Sequence, residues 1–193
     1  PQQYYESVGA DGLRLFHLFV GPPNDDFDWT DQTNEVIDGC GRFIDRLWRL
    51  AELEDVVLRD TADDSDLAVR RAIHKTIVRV TDGFEKWGYN TGVAALMELL
   101  NTLSKWARDS HGANRDTFYE ALDTMCLLLA PMAPHVSSEL WARRHGDDQF
   151  VHAQSWPKAD PALLVDETVT MVIQIAGRVK ARLEVAANIS EDE

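Results

Sequence analysis

The sequence predicts a mainly α-helical bundle that is followed by a short β-hairpin. Apolar residues recur at three- and four-residue intervals over most of the chain, which is the spacing of one buried helix face. Two β-branched runs with partial alternation follow near the end, and they predict a pair of strands. With 193 residues, 45% of them hydrophobic, the chain can bury a sizeable core.

Five helices are expected after a first helix and turn in residues 1–29. In the longest of them, Cys40 and Leu47 belong to a buried stripe along one side. Pro131 and Pro134 interrupt the helical pattern, because proline removes a backbone donor and clashes inside a helix. The predicted helices run from Asp31 to about Leu58, from Asp63 to Trp87, from about Thr91 to Arg108, from Arg115 to Leu129 and from near Pro134 to Gly146.

An extended connector is predicted over residues 149–165, where two X-Pro steps disfavour helix. Strands are expected from Val169 to Ile175 and from Val179 to Val185, separated by Ala176-Gly177-Arg178. A two-stranded hairpin alone is marginal in water. We therefore expect this piece to dock onto the bundle or to belong to a larger sheet.

The charge balance restricts the partners of this protein. Its formal net charge is −14 at pH 7, which excludes a nonspecific nucleic-acid binder. A local basic stripe on an acidic body can still bind a polyanion, and it favours one orientation. Arg42, Arg46 and Arg49 share one face of the longest helix, and Arg71 and Lys75 are four residues apart in the next. Intrahelical ion pairs with nearby carboxylates explain this spacing equally well.

The cysteine count and the absence of long apolar runs indicate the cellular compartment. Cys40 and Cys126 are far apart in helical patterns, and we interpret them as reduced structural thiols. The start of the chain has no signal-peptide pattern, and no apolar run approaches the roughly 18 residues of a membrane span. We therefore place the protein in the cytoplasm.

Five strings follow one another in a set order. They are GADGLRLFHLFVGPP (residues 9–23), DDFDW (25–29), GYNT leading into ALMELLN (88–101), LAPMAPHVSSELW (129–141) and VIQIAGRVKAR (172–182). Together they resemble the leucyl-tRNA synthetases of the bacterial type over nearly the whole chain. The first and fourth strings are shared with the valine, isoleucine and methionine enzymes, whereas the last is typical of leucine enzymes, with Ala176 in place of their usual asparagine.

This resemblance implies an anticodon-binding helical bundle of the class I aminoacyl-tRNA synthetase type in residues 30–148. Residues 1–29 would link it to a catalytic domain outside this chain, and residues 166–193 would begin a truncated C-terminal α+β domain. The parent enzyme would be a monomer that joins leucine to its tRNA through a leucyl-adenylate, using ATP and magnesium bound elsewhere.

The resemblance also implies how the bundle acts. Leucine tRNAs carry several anticodons, so the bundle would position leucine tRNA by its shape and backbone, and arginines suit phosphates. The candidate tRNA-binding residues are Arg42, Arg46, Lys86, Arg71 and Lys75.

Catalytic and metal-binding motifs are absent from the sequence. It has no HIGH-like or KMSKS string, no phosphate-cradling glycine loop and no C-x-x-C pair. We expect no catalytic residue and no activity from this chain alone. Two alternatives stay open: a protein-interaction bundle, and the equivalent domain of a valyl- or isoleucyl-tRNA synthetase. Dispersal of the arginines among carboxylates would favour the first, and the last string weighs against the second.

Overall fold

The computed structural model describes residues 2–165, 168–175 and 178–186. The chain divides into two compact units, residues 1–159 and residues 160–193. Within its described part, the first unit contains six α-helices and a parallel pair of two-residue strands. These elements are α1 (Gln2–Phe19), α2 (Asp31–Ala51), β1 (Leu58–Arg59), α3 (Asp64–Glu85), α4 (Tyr89–Ala107), β2 (Ala113–Asn114), α5 (Arg115–Leu129), α6 (Pro134–His145) and a 3₁₀ turn (Val151–Ala153).

The second unit contains the predicted hairpin. After a 3₁₀ turn at Pro161–Leu163, strand β3 (Thr168–Ile175) pairs antiparallel with β4 (Arg178–Ala186), and Thr168 lies opposite Ala186. The register shifts between Ile173 and Gln174. The two predicted strands are therefore confirmed. The connection at 176–177 and the stretch 187–193 lie outside the described residues.

The helix predictions are confirmed except at the end of α2. The helix ends at Ala51, seven residues before the predicted end at Leu58. Leu53 and Asp55 have φ angles of 60° and 58°, in the left-handed region that cannot continue a right-handed helix. The chain then enters β1, which pairs with β2 in a short parallel contact that the helical pattern did not predict.

The core of the first unit lies where the apolar stripes of all six helices meet. Aliphatic side chains fill most of it, and Phe16 of α1 and Phe118 of α5 are the largest fully buried groups. Burial of one such side chain is worth about 1.5–3 kcal/mol. Other large side chains that are fully buried in the helices are Leu15, Ile37, Leu47, Leu50, Ile73, Leu96, Leu99, Leu100, Leu103 and Met125.

A buried carboxylate joins the start of α3 to the neighbouring elements. Asp66 is 2% exposed and accepts hydrogen bonds from Arg59 Nη2 (2.9 Å), Trp106 Nε1 (3.2 Å) and the backbone N–H of Asn114 (3.3 Å). Its second oxygen accepts from the N–H of the N-cap residue Asp63 at 2.7 Å. Asp66 therefore connects β1, the end of α4 and β2 to the first turn of α3.

Helix α1 caps the connection between α5 and α6. Asp11 Oδ2 accepts from the N–H of Val136 in the first turn of α6 at 2.7 Å. Arg14 donates to the carbonyl oxygens of Met132 (3.1 Å) and Pro131 (3.0 Å) beyond α5. Carboxylates suit helix N-termini, and guanidinium groups suit the carbonyls beyond helix C-termini. Asp11 and Arg14, both from the first of the five strings, thus supply caps to α6 and α5, which are distant from α1 in sequence.

Close packing of α1 on α2 depends on Gly41, and we expect Gly41→Ala to lower the free energy of unfolding by about 1–2 kcal/mol. A Cβ there would lie 2.8 Å from Val8 Cγ1. Gly39→Ala is the matched control, because its Cβ would meet nothing nearer than Arg42 Nη2 at 3.7 Å. The control should gain up to about 1 kcal/mol in helix propensity. Urea unfolding measures both variants, and similar stabilisation by both would contradict the tight α1–α2 contact.

Both cysteines are buried and free, as predicted for structural thiols. Burial raises the pKa of Cys40 to about 11 and that of Cys126 to about 12. Both thiols are therefore protonated and unreactive near neutral pH. In the described part of the chain, no helix combines the length and the apolar character that crossing a membrane requires.

Candidate nucleic-acid interface

Three arginines line the solvent side of α2. Arg42, Arg46 and Arg49 are all exposed and recur at four- and three-residue intervals, so their side chains leave the helix on one face. The opposite face is buried in the core, where it contributes Phe43 and Leu47. We call Arg42, Arg46 and Arg49 the arginine face.

Within the described ranges, the three arginines of the arginine face are not ion-paired with any carboxylate. Arg46 Nη2 donates to the neutral amide oxygen of Asn101 on α4, at 2.7 Å. Among the described residues, Arg42 and Arg49 form no ion pair. The intrahelical pairs that would have explained their spacing are therefore not formed. Exposed Asp38 and Asp45 lie three or four residues from Arg42 on the same helix. The arginines are therefore spaced among carboxylates but are not ion-paired with them.

Arginines elsewhere on the first unit behave differently, because most of them are paired with acidic side chains. The hydrogen bond between Arg79 and Glu98 raises the pKa of the arginine and lowers the pKa of the glutamate. Such pairs cancel positive charge at other surfaces of an acidic protein, and the charge of the arginine face is left exposed. The paired arginines are Arg59 with Asp66, Arg70 with Glu120, Arg79 with Glu98, Arg115 with Asp60, Arg143 with Glu52 and Arg144 with Asp123.

The five predicted contact residues come from two helices, α2 and α3. Arg42 and Arg46 share the arginine face, whereas Lys86, Arg71 and Lys75 belong to α3 or its C-cap. Helix α4 packs against both α2 and α3. Lys86 is exposed and pairs with Asp82 at 3.0 Å. Arg71 and Lys75 are half-buried, and both have interaction partners.

Two of the six tryptophans, Trp29 and Trp87, are exposed. Trp87 is 67% exposed in the turn between α3 and α4, with φ at 58°, and Trp29 is 50% exposed beside Phe27. Trp106 and Trp141 are buried. Helical spacing does not predict the exposure of Trp87, because this residue has left the helix.

A pocket between α2, α5 and α6 has charged walls whose charges are matched. Arg143 hydrogen-bonds to Glu52 and Arg144 to Asp123, the latter through Nε at 2.6 Å. The guanidinium of Arg143 also lies over the ring of Trp48, 4.5 Å from its centroid, and that of Arg144 lies over Tyr119 at 3.9 Å. These arginines stabilise the packing of α6, so they are less available to an anion than the arginine face.

No group of three or more histidine, cysteine or carboxylate side chains that could hold a metal ion occurs among the described residues. His74 lies 3.1 Å from Glu120 and His145 lies 2.9 Å from Asp123. These histidines take part in pairs between helices. They support no ligand set, and the candidate interface remains the arginine face.

Comparison with known proteins places the chain in a family. Residues 66–193 match the model of the family described as the anticodon-binding domain of tRNA ligases. The chain belongs to this family. Curated relatives of the anticodon-binding domain include the leucine–tRNA ligases of Dehalococcoides mccartyi (37% identical over 194 residues), Geobacter sp. strain M21 (39% over 201) and Herpetosiphon aurantiacus (38% over 191). The matches cover 99–100% of this chain and 23–24% of the relatives.

A solved structure has the same fold as the anticodon-binding domain. It is a ternary complex of the agnB2 LeuRS of Agrobacterium radiobacter K84 with tRNA and LeuAMS, and it matches with a TM-score of 0.78 and 25% identity. The match covers all of this chain and 25% of that one. The predicted bundle and the resemblance to leucyl-tRNA synthetases are confirmed. The valine and isoleucine alternative finds no support in these relatives.

Sequence reasoning found the arginine face but missed its connection to α4. Asn101 and Arg108 of the anticodon-binding domain lie seven residues apart, two helical turns, and both are exposed. Their spacing was visible in the sequence. The contact between Asn101 and Arg46 was not visible, because the two residues are 55 positions apart.

Proposed function

We propose that this chain is the tRNA-binding part of a leucine–tRNA ligase, where it holds leucine tRNA by its shape and phosphate backbone. The arginine face carries the proposal, because it exposes unpaired guanidinium groups on a protein with a net charge of −14. Guanidinium groups bind phosphate oxygens with two parallel hydrogen bonds. The tRNA complex of the LeuRS relative supports this assignment.

Within this proposal, residues 30–148 are the tRNA-binding bundle. Residues 1–29 connect it to a catalytic domain, 149–165 form a connector, and 166–193 begin a C-terminal domain. Lys86, Arg71 and Lys75 are the second set of candidate contacts. Leucine, ATP and magnesium would bind outside this chain, which lacks the motifs for them, and the ligase would be a cytoplasmic monomer. The buried free thiols suit the reducing cytoplasm.

Binding of fluorescently labelled leucine tRNA and valine tRNA, measured between 50 and 200 mM salt, tests the proposal. We expect the chain to prefer leucine tRNA. The double variant Arg42→Gln, Arg46→Gln should weaken binding by about 10- to 100-fold, since each lost phosphate contact is worth about one factor of ten. The slope of log K against log salt should become shallower by about two, one unit per arginine.

Arg115→Gln is the matched control, because it removes the same charge from an arginine that Asp60 already neutralises at 2.9 Å. Its binding curve should follow the unsubstituted chain. If the double variant and the control weaken binding equally, the loss reflects net charge and the site assignment fails. If the unsubstituted chain binds neither tRNA at 50 mM salt, the proposed function itself fails and the interaction bundle takes its place.

A further inference from the structure

The contact between Arg46 and Asn101 is made on the surface between two helices. Arg46 Nη2 donates to Asn101 Oδ1 at 2.7 Å, and both residues are exposed. A hydrogen bond between two exposed side chains adds little to the stability of a fold, because both groups can bond to water instead. Its larger effect is on the arginine itself, whose long side chain otherwise samples many rotamers. Asn101 therefore holds the guanidinium of Arg46 in one place before any ligand arrives.

The side-chain NH₂ group of Asn101 takes no part in the contact with Arg46. The amide oxygen accepts from Arg46, so the NH₂ group is left with two donors. Arg46 likewise keeps four of its five N–H donors. Two sets of donors at one point of the surface, one charged and one neutral, suit the oxygens of a phosphate.

Helix α4 continues this surface beyond Asn101. Arg108, the C-cap residue that follows Ala107 at the end of α4, lies two turns further along, about 10 Å on the helix axis, on the same side as Asn101. It is exposed, and it forms no ion pair with any residue in the described ranges. Lys105 differs, because it lies beside Asp63, Asp64 and Asp109 in a groove at the start of α3.

We propose that the phosphate-binding surface crosses from α2 to α4, where Asn101 positions Arg46 and shares a phosphate with it, and Arg108 binds a further phosphate. This inference rests on the proposed function and deepens it. Helix α4 then has a binding role in addition to its packing role in the bundle, and the binding surface is formed by two helices.

Asn101→Asp separates this role from a structural one. Aspartate keeps an acceptor for Arg46 and adds charge to that bond, so the urea midpoint should not fall. It removes the NH₂ donors and presents a negative charge to the phosphate, so leucine tRNA affinity should fall by at least about ten-fold. Asn101→Leu should cost more affinity in the unsubstituted chain than in Arg46→Gln, because the positioning of Arg46 is lost only where Arg46 is present.

Arg108→Gln should make the salt slope shallower by about one, and Lys105→Gln, the matched control on the same helix, should leave the slope unchanged. If Asn101→Asp and Arg108→Gln bind like the unsubstituted chain while the Arg42, Arg46 double variant does not, the inference is wrong and the proposed function stands. If Asn101→Asp lowers the urea midpoint and the affinity together, Asn101 is a structural residue and the inference again fails. If none of the variants changes binding, the assignment of the arginine face fails with it.

Discussion

Asp66→Ala is expected to lower the free energy of unfolding by about 3 kcal/mol, the largest single effect that we predict for this protein. Removal of the carboxylate leaves Trp106 Nε1 and the backbone N–H of Asn114 without their acceptor inside the fold. Each buried unpaired donor costs about 1–3 kcal/mol. Arg59 retains its contact with Asp63 at 2.7 Å, so the loss lies at the lower end of the range for broken buried ion pairs.

Urea unfolding followed by circular dichroism measures this change. Asp64→Ala is the matched control, since Asp64 is exposed in the same helical turn and should change stability by less than about 0.5 kcal/mol. Asp66→Asn keeps one acceptor oxygen but presents N–H donors to the N–H of Asp63. Its loss of unfolding free energy should therefore be smaller than that of Asp66→Ala and larger than that of Asp64→Ala. If Asp66→Ala and Asp64→Ala unfold at the same urea concentration, Asp66 does not join these elements.

Asp11→Ala is expected to cost about 2–3 kcal/mol, combining a lost helix cap with a buried N–H that loses its acceptor. Asp11 is 7% exposed, and its bond to Val136 replaces the cap that Ala133, the N-cap residue of α6, cannot provide. Its negative charge also interacts favourably with the N-terminus of α6.

His135→Ala separates the two contacts of Asp11. His135 Nδ1 lies 2.7 Å from Asp11 Oδ1, but the histidine side chain is 76% exposed. A surface pair contributes about 0–1 kcal/mol, so His135→Ala should cost much less than Asp11→Ala in the same urea experiment. If both variants lose the same unfolding free energy, the contact of Asp11 with the imidazole, and not the cap of α6, stabilises the packing of α1 on α6.

The sequence predicts well the features that depend on neighbours along the chain. The span of α5 from Arg115 to Leu129 is the one predicted, and the proline break before α6 is where it was expected. Both depend on local rules, namely the repeat of the buried face and the missing donor of proline. The arginine face could be predicted for the same reason, because its spacing follows from one helix.

Features that depend on tertiary contacts were not predictable in this way. Asp11 caps a residue 125 positions later, and Arg46 meets Asn101 on another helix. The end of α2 at Ala51 is set by the left-handed residues Leu53 and Asp55 that lead into β1. No repeat in the sequence encodes these pairings, because each depends on how the helices pack.

The caps that α1 provides have a consequence for synthesis on the ribosome. Asp11 and Arg14 are translated before α6, and Val136 is 125 positions behind Asp11. At about 5–20 residues per second, roughly 6–25 s pass before that partner is translated. During this time α1 can pair with α2, and its two capping side chains face water. Helix α1 thus completes its contacts only when α6 has emerged, so the connection between α5 and α6 is capped late.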